Sequence, residues 1–248
     1  MHYPKVKFKL SPISEEVELL KHFINHKCDY FRNSFLRTYP SLKNKNLPIK
    51  SLVIALWKQN KKQAQINMKR YSKDWGAIEK EFMEKLSETI NTSWFTKPKN
   101  IVCYSSLTLV FPRDLDEKSF FINWNMPKWG VHKVAAHEIT HLLYFKKLKE
   151  LFPKIPKSHY ERPHIEWALS EILAPVILNG KEFRKILPYW HRTEPPFYTV
   201  KIGRKTIMDC FEGKYKEYVK KGKSFDEYLI WASDFAKKHT KELTAAIQ

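Results

Sequence analysis

Two histidines one helical turn apart, inside a long apolar segment, constrain the fold of this chain more than any other feature. Apolar residues recur at helical spacings from Trp129 to Leu151, and lysines gather in the last turns, which indicates a largely buried helix. Within it, the pentapeptide His137-Glu-Ile-Thr-His141 places two imidazoles at positions i and i+4, about 5–6 Å apart on one face. An unpaired buried polar group costs about 1–3 kcal/mol. The chain is therefore expected to build a satisfied polar site on this helix.

A metal ion would satisfy these groups. Two imidazoles one turn apart can reach a single tetrahedral zinc ion without backbone strain, so His137 and His141 are predicted metal ligands. Glu138 is rotated by about 100° from His137 and can meet a water at the site, where it would act as the general base. The alternative is a chance match in a chain with ten histidines, in which the pair is an ordinary core pair.

These residues resemble the active helix of the zincin metallopeptidases. The metzincin branch continues the motif with a glycine and a third histidine, whereas this chain has Tyr144 and Lys147 at those positions. The segment from His164 to Leu178 resembles the second helix of the gluzincins, and the resemblance covers about residues 129–178. It implies a zinc-dependent peptidase that cleaves peptide or protein substrates, with Glu138 as general base.

Three residues are candidates for the third ligand. Glu171 lies in an apolar stretch, where a carboxylate is costly unless it is paired or bound to a metal. Glu166 lies near the expected helix start, where the helix dipole already stabilises a carboxylate. His164 would complete a three-histidine site. Glu171 is the preferred ligand, and Zn²⁺ is the preferred metal, although manganese, cobalt or iron can bind the same donors.

The chain departs from the gluzincin pattern one turn beyond Glu171. Many gluzincins have an acidic residue there, which orients a ligating histidine, whereas this chain has Ala174 followed by Pro175. Pro175 is also predicted to kink or end the helix near Ala174. The residue that stabilises the oxyanion is not singled out; the candidates are His159, Tyr160, Tyr189, His191 and Tyr198.

The pattern around this core predicts an α+β fold. Strands are expected at Ile101 to Phe111 and at Ser119 to Trp124, where β-branched and aromatic residues are frequent. The resemblance implies a zincin-like core, with a small mixed or antiparallel sheet packed on the metal-binding helix, and an antiparallel edge strand at Phe120 to Asn125 that binds extended peptide. An ordinary hairpin is the alternative for these strands.

The rest of the chain divides into three regions by pattern. Residues 1–95 are mainly helical, 96–180 form the metal-binding core, and 181–248 contain a loop, a hairpin and a last helix; all three can also form one compact domain. The predicted peripheral elements are helices at Ser14 to Phe35, Ile49 to Tyr71, Trp75 to Asn91 and Ser224 to about Leu243, and a hairpin at Phe197 to Ile207 that turns on Gly203.

Positive charge is concentrated in one part of the sequence. The formal net charge is +19, and from Tyr30 to Lys73 there are eleven Lys or Arg residues and no Asp or Glu. With Trp57, Tyr71 and Trp75 available to stack on bases, nucleic acid is a candidate partner for residues 30–73. This gives the alternative function, a basic nucleic-acid-binding or regulatory protein with a structural or vestigial metal site. A lysine-rich surface that serves solubility alone is the simpler interpretation.

The compartment is inferred from what the sequence lacks. Residues Met1 to Leu10 alternate lysine with apolar residues and do not resemble a secretory signal, and no run approaches the roughly 20 apolar residues of a membrane span. The three cysteines, Cys28, Cys103 and Cys210, are far apart and outside any C-x-x-C motif. A reduced, cytoplasmic setting without a membrane span is predicted.

Overall fold

The computed structural model describes residues 2–25, 29–43 and 48–247, except for the side chains at positions 29–31, 34 and 42. Two compact units can be distinguished. The sheet unit comprises Pro4–Glu79 and Phe95–Ala135. The helical unit comprises Lys80–Trp94 and Ala136–Gln248, with the first three residues. Each unit is thus assembled from segments that are far apart in sequence.

A four-stranded mixed sheet organises the sheet unit. Its strands are β1 (Lys5–Leu10), β2 (Asn100–Ser106), β3 (Arg113–Asp114) and β4 (Ser119–Asn123). The spatial order is β1-β2-β4-β3, with β1, β2 and β4 parallel and only β3 antiparallel. The alternation of lysine with apolar residues in β1 suits an edge strand, whose lysines also discourage pairing with another chain.

The predicted pairing of the two central strands is wrong. β4 lies parallel to β2, with Cys103 opposite Phe120, so the two strands form neither a hairpin nor an antiparallel edge. On its other side β4 pairs with β3, where Arg113 lies opposite Phe120. Residues 107–118 connect β2 to β4, and about a dozen residues is the length that a parallel crossover requires. The mixed character of the sheet is confirmed.

Helices cover this sheet within the same unit. They are α1 (Ile13–Ile24), α2 (Asp29–Thr38), a 3₁₀ turn η1 (Pro40–Lys43) and α3 (Ile49–Gly76). Their apolar faces form one core with Leu107, which follows β2. Trp57, Tyr71 and Trp75 are 6%, 0% and 1% exposed, so they belong to the interior and do not form the stacking platform that the sequence suggested.

The helical unit is built around one buried helix, α6 (Ile165–Leu178). Every residue of α6 from Trp167 to Leu178 is buried. The other elements that lie wholly or partly in this unit are α4 (Glu79–Ile90), α5 (Lys128–Leu151), η2 (Lys157–Tyr160), α7 (Lys181–Ile186), η3 (Pro195–Tyr198), β5 (Lys201–Ile202), β6 (Lys205–Thr206), α8 (Ile207–Lys220), α9 (Phe225–Lys238) and α10 (Thr240–Ile247). β5 and β6 form the predicted hairpin, and Gly203 in its turn has φ = 62°, which glycine adopts without strain.

Several predicted helices differ from the observed ones. Trp75, the predicted start of a helix, lies in α3, which continues to Gly76, and α4 begins at Glu79. The segment Ser14 to Phe35 contains two helices, α1 and α2, and the C-terminal helix is likewise divided into α9 and α10 at His239. The prediction that Pro175 kinks or ends the helix near Ala174 is wrong as to the ending, because α6 continues through Pro175 to Leu178. Only one turn follows Pro175, and its wholly apolar side chains are buried, so packing offsets the lost backbone hydrogen bond.

The coarse α+β class is therefore confirmed, while the division into regions 1–95, 96–180 and 181–248 stays a prediction. Within the described residues, no helix is long and apolar enough to cross a membrane. Cys103 is buried and Cys210 is half-buried, and within the described residues neither forms a disulfide. Cys28 lies outside the described residues.

Candidate metal centre

The histidine pair lies on α5, in the part of this helix that belongs to the helical unit. The helix runs without interruption from Lys128 to Leu151, so His137 and His141 lie one turn apart, as predicted. The side chain of His141 is fully buried, whereas that of His137 is 17% exposed. One imidazole is thus held inside the protein and the other reaches the surface of the site.

Glu171 of α6 meets both imidazoles. The Nε2 atoms of His137 and His141 are 2.9 Å apart. The two carboxylate oxygens of Glu171 lie 3.2 Å from His137 Nε2 and 3.3 Å from His141 Nε2. The ligand-type atoms of all three residues lie within 4.8 Å of one another.

These distances suit a small metal ion. Donors of a tetrahedral zinc ion, each about 2.0–2.1 Å from the metal, are about 3.3 Å from one another. The observed separations of 2.9, 3.2 and 3.3 Å are close to that value. Neutral imidazole nitrogens and a carboxylate converge here as acceptors, so either shared protons or a cation must lie among them. Two histidines and one carboxylate also form a common ligand set of catalytic zinc.

The two other candidates for the third ligand lie elsewhere in the helical unit. A carboxylate oxygen of Glu166 is 3.2 Å from Nδ1 of His159. The His164 ring stacks on the same His159, with ring centroids 4.2 Å apart and planes inclined by 8°. Of the three candidates, only Glu171 joins the histidine pair.

Helical geometry explains this selection. Glu166 and Glu171 are five residues apart, so they point in directions that differ by about 140° around the axis of α6. Only one of these two side chains can therefore point from α6 toward the histidine side chains of α5. Glu166 lies in the first turn and is half-buried, whereas Glu171 is 8% exposed.

The loop after α7 supplies an additional contact to Glu171. The hydroxyl of Thr193 donates to Glu171 at 3.4 Å, and the backbone N–H of Thr193 donates to the hydroxyl of Tyr198 at 3.3 Å. The loop is also tied to the end of α6 by Asn179, whose side-chain amide accepts from the N–H and donates to the carbonyl of His191, each at 2.9 Å. Thr193 therefore contacts the carboxylate of Glu171, whereas the acidic residue that gluzincins have one turn later would contact a ligating histidine.

An ion pair lies beside this loop. Arg162 forms a salt bridge with Glu194 and covers the ring of Trp167, with the guanidinium carbon 4.4 Å from the ring centroid. Burial raises the pKa of the Glu194 carboxyl and the charge of Glu171 raises it further, while Arg162 opposes both effects. The carboxylate of Glu171 thus influences a charged pair that no sequence pattern had indicated.

The remaining predicted site residues have varied surroundings. Glu138 is 5% exposed and lies outside the group of three converging residues. Tyr198 is linked to Glu171 through Thr193, whereas the ring of Tyr160 is buried against Phe145 at 4.5 Å. Burial raises the pKa of the Tyr198 hydroxyl, so it is a neutral hydrogen-bond donor near neutral pH. Tyr198 therefore stays a candidate oxyanion donor that is linked to Glu171 by way of Thr193.

The structure also explains the residues at the metzincin positions. Lys147 is 4% exposed, and its ammonium group donates to the Asn91 carbonyl at 2.8 Å and pairs with Asp226 at 2.7 Å. It therefore links three segments of the helical unit. Tyr144 is fully buried, and burial raises the pKa of its hydroxyl far above the usual value.

Comparisons with known proteins do not assign a family to this fold: no family model, no curated protein and no solved structure matches the chain. The functional argument therefore depends on the geometry and chemistry of the residues themselves.

Proposed function

We propose that the chain is a metal-dependent peptidase of the zincin type, with zinc held by His137, His141 and Glu171. Glu138 would act as the general base on the attacking water, and peptides or proteins would be the substrates. A gluzincin-like core is the fold-level part of this proposal, and it depends on the ligand pattern alone.

One observation carries the proposal. Residues 34 positions apart in sequence bring two imidazole nitrogens and a carboxylate into mutual distances of 2.9–3.3 Å. In addition, the motif places a carboxylate next to the first histidine, which a purely structural site would not need. The partial exposure of His137 also agrees with a site that substrate can reach.

Each residue has a definite task in this proposal. A bound zinc ion would supply Lewis acidity for the scissile carbonyl and lower the pKa of water to about 7. Glu138 would accept the proton of the water and pass it to the leaving amine. Thr193 would hold the carboxylate of Glu171 in position, and the Tyr198 hydroxyl would donate to the oxyanion.

The first prediction concerns metal content. Protein purified without a metal-affinity tag should contain about one zinc per chain, measured by elemental mass spectrometry. Glu171→Ala and His141→Ala should each lose it, because a catalytic zinc site has only three protein ligands and each variant removes one of them. Glu166→Ala is the matched control, since it removes a carboxylate from the same helix that pairs with His159 instead. This control should retain the metal.

Two outcomes would contradict the proposed ligand set. Equal loss of zinc from Glu166→Ala and Glu171→Ala would mean that the metal depends on the packing of α6 rather than on one carboxylate. If the wild-type protein stays metal-free after zinc is added back, then His137, His141 and Glu171 form a hydrogen-bonded cluster and not a metal site.

The second prediction concerns catalysis. Glu138→Gln should lower the kcat for a labelled peptide library by at least about 100-fold, because general base catalysis typically contributes 10²–10⁴-fold. Zinc content should be unchanged, since Glu138 is not a ligand in this proposal. The comparison of the two measurements separates loss of the base from loss of the metal.

The alternative function is a basic binding protein with a structural or vestigial metal. It predicts zinc in the wild type but no peptide hydrolysis, or hydrolysis that is the same in wild type and in Glu138→Gln. The combination of bound zinc with a Glu138-dependent activity would exclude it.

A further inference from the structure

A stripe of lysines follows the exposed face of α3. Lys58, Lys62, Lys69 and Lys73 are all exposed, and their spacings of 4, 7 and 4 residues place them on one side of the helix. We call these four residues the lysine stripe. At 1.5 Å per residue, it is about 22 Å long. In the part of the chain that the structure describes, none of the four forms an ion pair.

Nothing on the same helix neutralises the stripe. The only acidic residue of α3 is Asp74, which lies 3.8 Å from Lys128. An uncompensated row of four ammonium groups attracts a polyanion, and a length of about 22 Å spans several phosphates of a nucleic-acid strand. Charge alone does not identify the partner, however, because any polyanion responds to it.

A pocket beside the stripe adds chemical selectivity. It has a volume of about 610 Å³ and lies between η1, α3 and the carboxyl end of β4. Leu56, Leu109 and the half-buried Trp124 supply its apolar surface, while Gln59, Asn60 and Asn125 supply amides. Gln59 is three residues before Lys62, so it faces the neighbourhood of the stripe from the same helix.

Two of these amides are available to a ligand. In the described residues, the side chains of Gln59 and Asn125 make no hydrogen bond, whereas Asn60 donates to the Leu56 carbonyl at 2.8 Å. An amide both donates and accepts, which matches the mixed donor and acceptor edge of a nucleobase. Apolar surface next to such amides suits the flat faces of an unstacked base.

The pocket is held open by contacts from α3. The Tyr71 hydroxyl and the Asn67 amide donate to the Trp124 carbonyl at 2.9 and 3.1 Å, and Arg70 donates to the Met126 carbonyl at 3.0 Å. The helix that carries the lysine stripe therefore also fixes the pocket wall. A preformed pocket reduces the ordering cost of binding.

We propose that this surface binds single-stranded nucleic acid, with phosphates along the lysine stripe and one unstacked base in the pocket. A duplex does not fit the same surface in this way, because its bases are stacked and paired and cannot enter a pocket without being extruded. This partner is independent of the metal centre, which lies in the helical unit, whereas every residue of this surface belongs to the sheet unit.

The stripe is tested by fluorescence anisotropy with labelled 12-nucleotide single strands of DNA and of RNA, over a salt series. Replacing all four stripe lysines with glutamine should weaken binding at least tenfold and reduce the magnitude of the salt slope by about 0.7 for each lost phosphate contact. In the matched control, four other exposed lysines are replaced with glutamine, so the loss of charge is the same; they are Lys201, Lys220, Lys238 and Lys241. The control should bind as the wild type does, and an equal loss in both variants would overturn the proposal.

The pocket is tested on the wild-type protein, so this result does not depend on the folding of a variant. A strand with its bases should bind at least about tenfold more tightly than an abasic strand of equal length, since base contacts contribute about 1–3 kcal/mol each. The double variant Gln59→Ala, Asn125→Ala should reduce this preference. Equal binding of the abasic strand would overturn the proposal.

Two further outcomes would overturn it: tighter binding of a matched hairpin duplex, or equal competition by polyglutamate of the same charge. The first would mark the surface as a duplex-binding site, and the second would mark it as a general polyanion site. Tight, base-dependent binding of single-stranded DNA or RNA would support the proposal. The strand that binds more tightly would show which nucleic acid this surface prefers.

Discussion

Glu16 and Glu171 both have carboxylates that are buried on helices, but different groups contact the two carboxylates. Glu16 is fully buried and accepts from the Leu107 N–H at 3.1 and 3.3 Å, with Ser11 and Ser106 beside it. Burial dominates, and it raises the pKa of Glu16 to about 7. Glu171 instead faces two imidazoles that can share a proton or a cation with it.

Glu16 should make the stability of the protein pH-dependent. The folded pKa of about 7 exceeds the unfolded value of about 4.5. Between these values the unfolded chain has already released the proton that the folded chain retains, so stability falls as the pH rises from 4.5 to 7 and levels off above. The contribution is about 3 kcal/mol, because one pKa unit corresponds to about 1.36 kcal/mol.

Urea unfolding at pH 5 and at pH 8 would measure this effect. The wild type should lose stability between the two pH values by more than the Glu16→Gln variant does, because glutamine cannot ionise. Identical pH dependence in the two proteins would show that the Glu16 carboxyl does not titrate between pH 4.5 and 7 in the folded state.

At the scale of elements, α9 shows how local sequence fixes a helix boundary. Ser224 precedes the helix, its hydroxyl accepts from the Glu227 N–H, and the Glu227 carboxylate accepts in turn from the Ser224 N–H. This capping box satisfies donors that the first turn leaves unpaired. The sequence had also predicted that a helix begins at Ser224. The division into α9 and α10 at His239 had no comparable signal.

Removal of this cap should have a moderate cost. Ser224→Ala should lower the free energy of unfolding by about 1 kcal/mol, as replacement of a serine N-cap by alanine typically does. Ser72→Ala, an exposed position inside α3, is the control and should be neutral or slightly stabilising, since alanine is the better helix former. Chemical denaturation of both variants gives the comparison. Equal destabilisation would contradict the capping argument.

The sequence predicted where β2 and β4 lie along the chain, but it did not predict how these strands pair. Composition located β2 and β4 because β-branched and aromatic residues cluster there, but their parallel pairing depends on where the connection 107–118 runs. β1 was not predicted, although its alternating pattern is a strand signal. An edge strand is stabilised by the strand beside it. For β1 that strand is β2, and the paired residues are 95 positions apart in sequence.

At the scale of the whole molecule, each of the two compact units combines segments that are far apart along the chain. The sheet unit combines residues before Glu79 with residues after Phe95, and the helical unit takes up the intervening segment. The chain passes from one unit to the other at the start of α4, in the loop between Trp94 and Phe95, and within α5. Of these three crossings, proline and polar residues follow only the one at Phe95, because the crossings in α4 and α5 fall inside continuous helices.

Tertiary packing also decided which basic and aromatic residues share a surface. The sequence showed an excess of positive charge from Tyr30 to Lys73 and three aromatic residues in or beside it. The fold buries those three aromatic residues. It leaves the lysine stripe exposed beside the pocket that Trp124 lines. Helical periodicity separates the two sets, because residues on the core-facing side of α3 are buried regardless of their ability to stack on bases.

The sequence by itself determined the histidine pair, since a four-residue spacing on a helix brings two side chains together whatever the rest of the chain does. It also indicated Glu171, because a carboxylate in an apolar helix needs a partner. Only the tertiary structure showed which of Glu171, Glu166 and His164 lies against the histidine pair, placed Thr193 beside Glu171, and set the strand order. Local spacing determines contacts within a helix, whereas contacts between distant segments depend on which faces pack together.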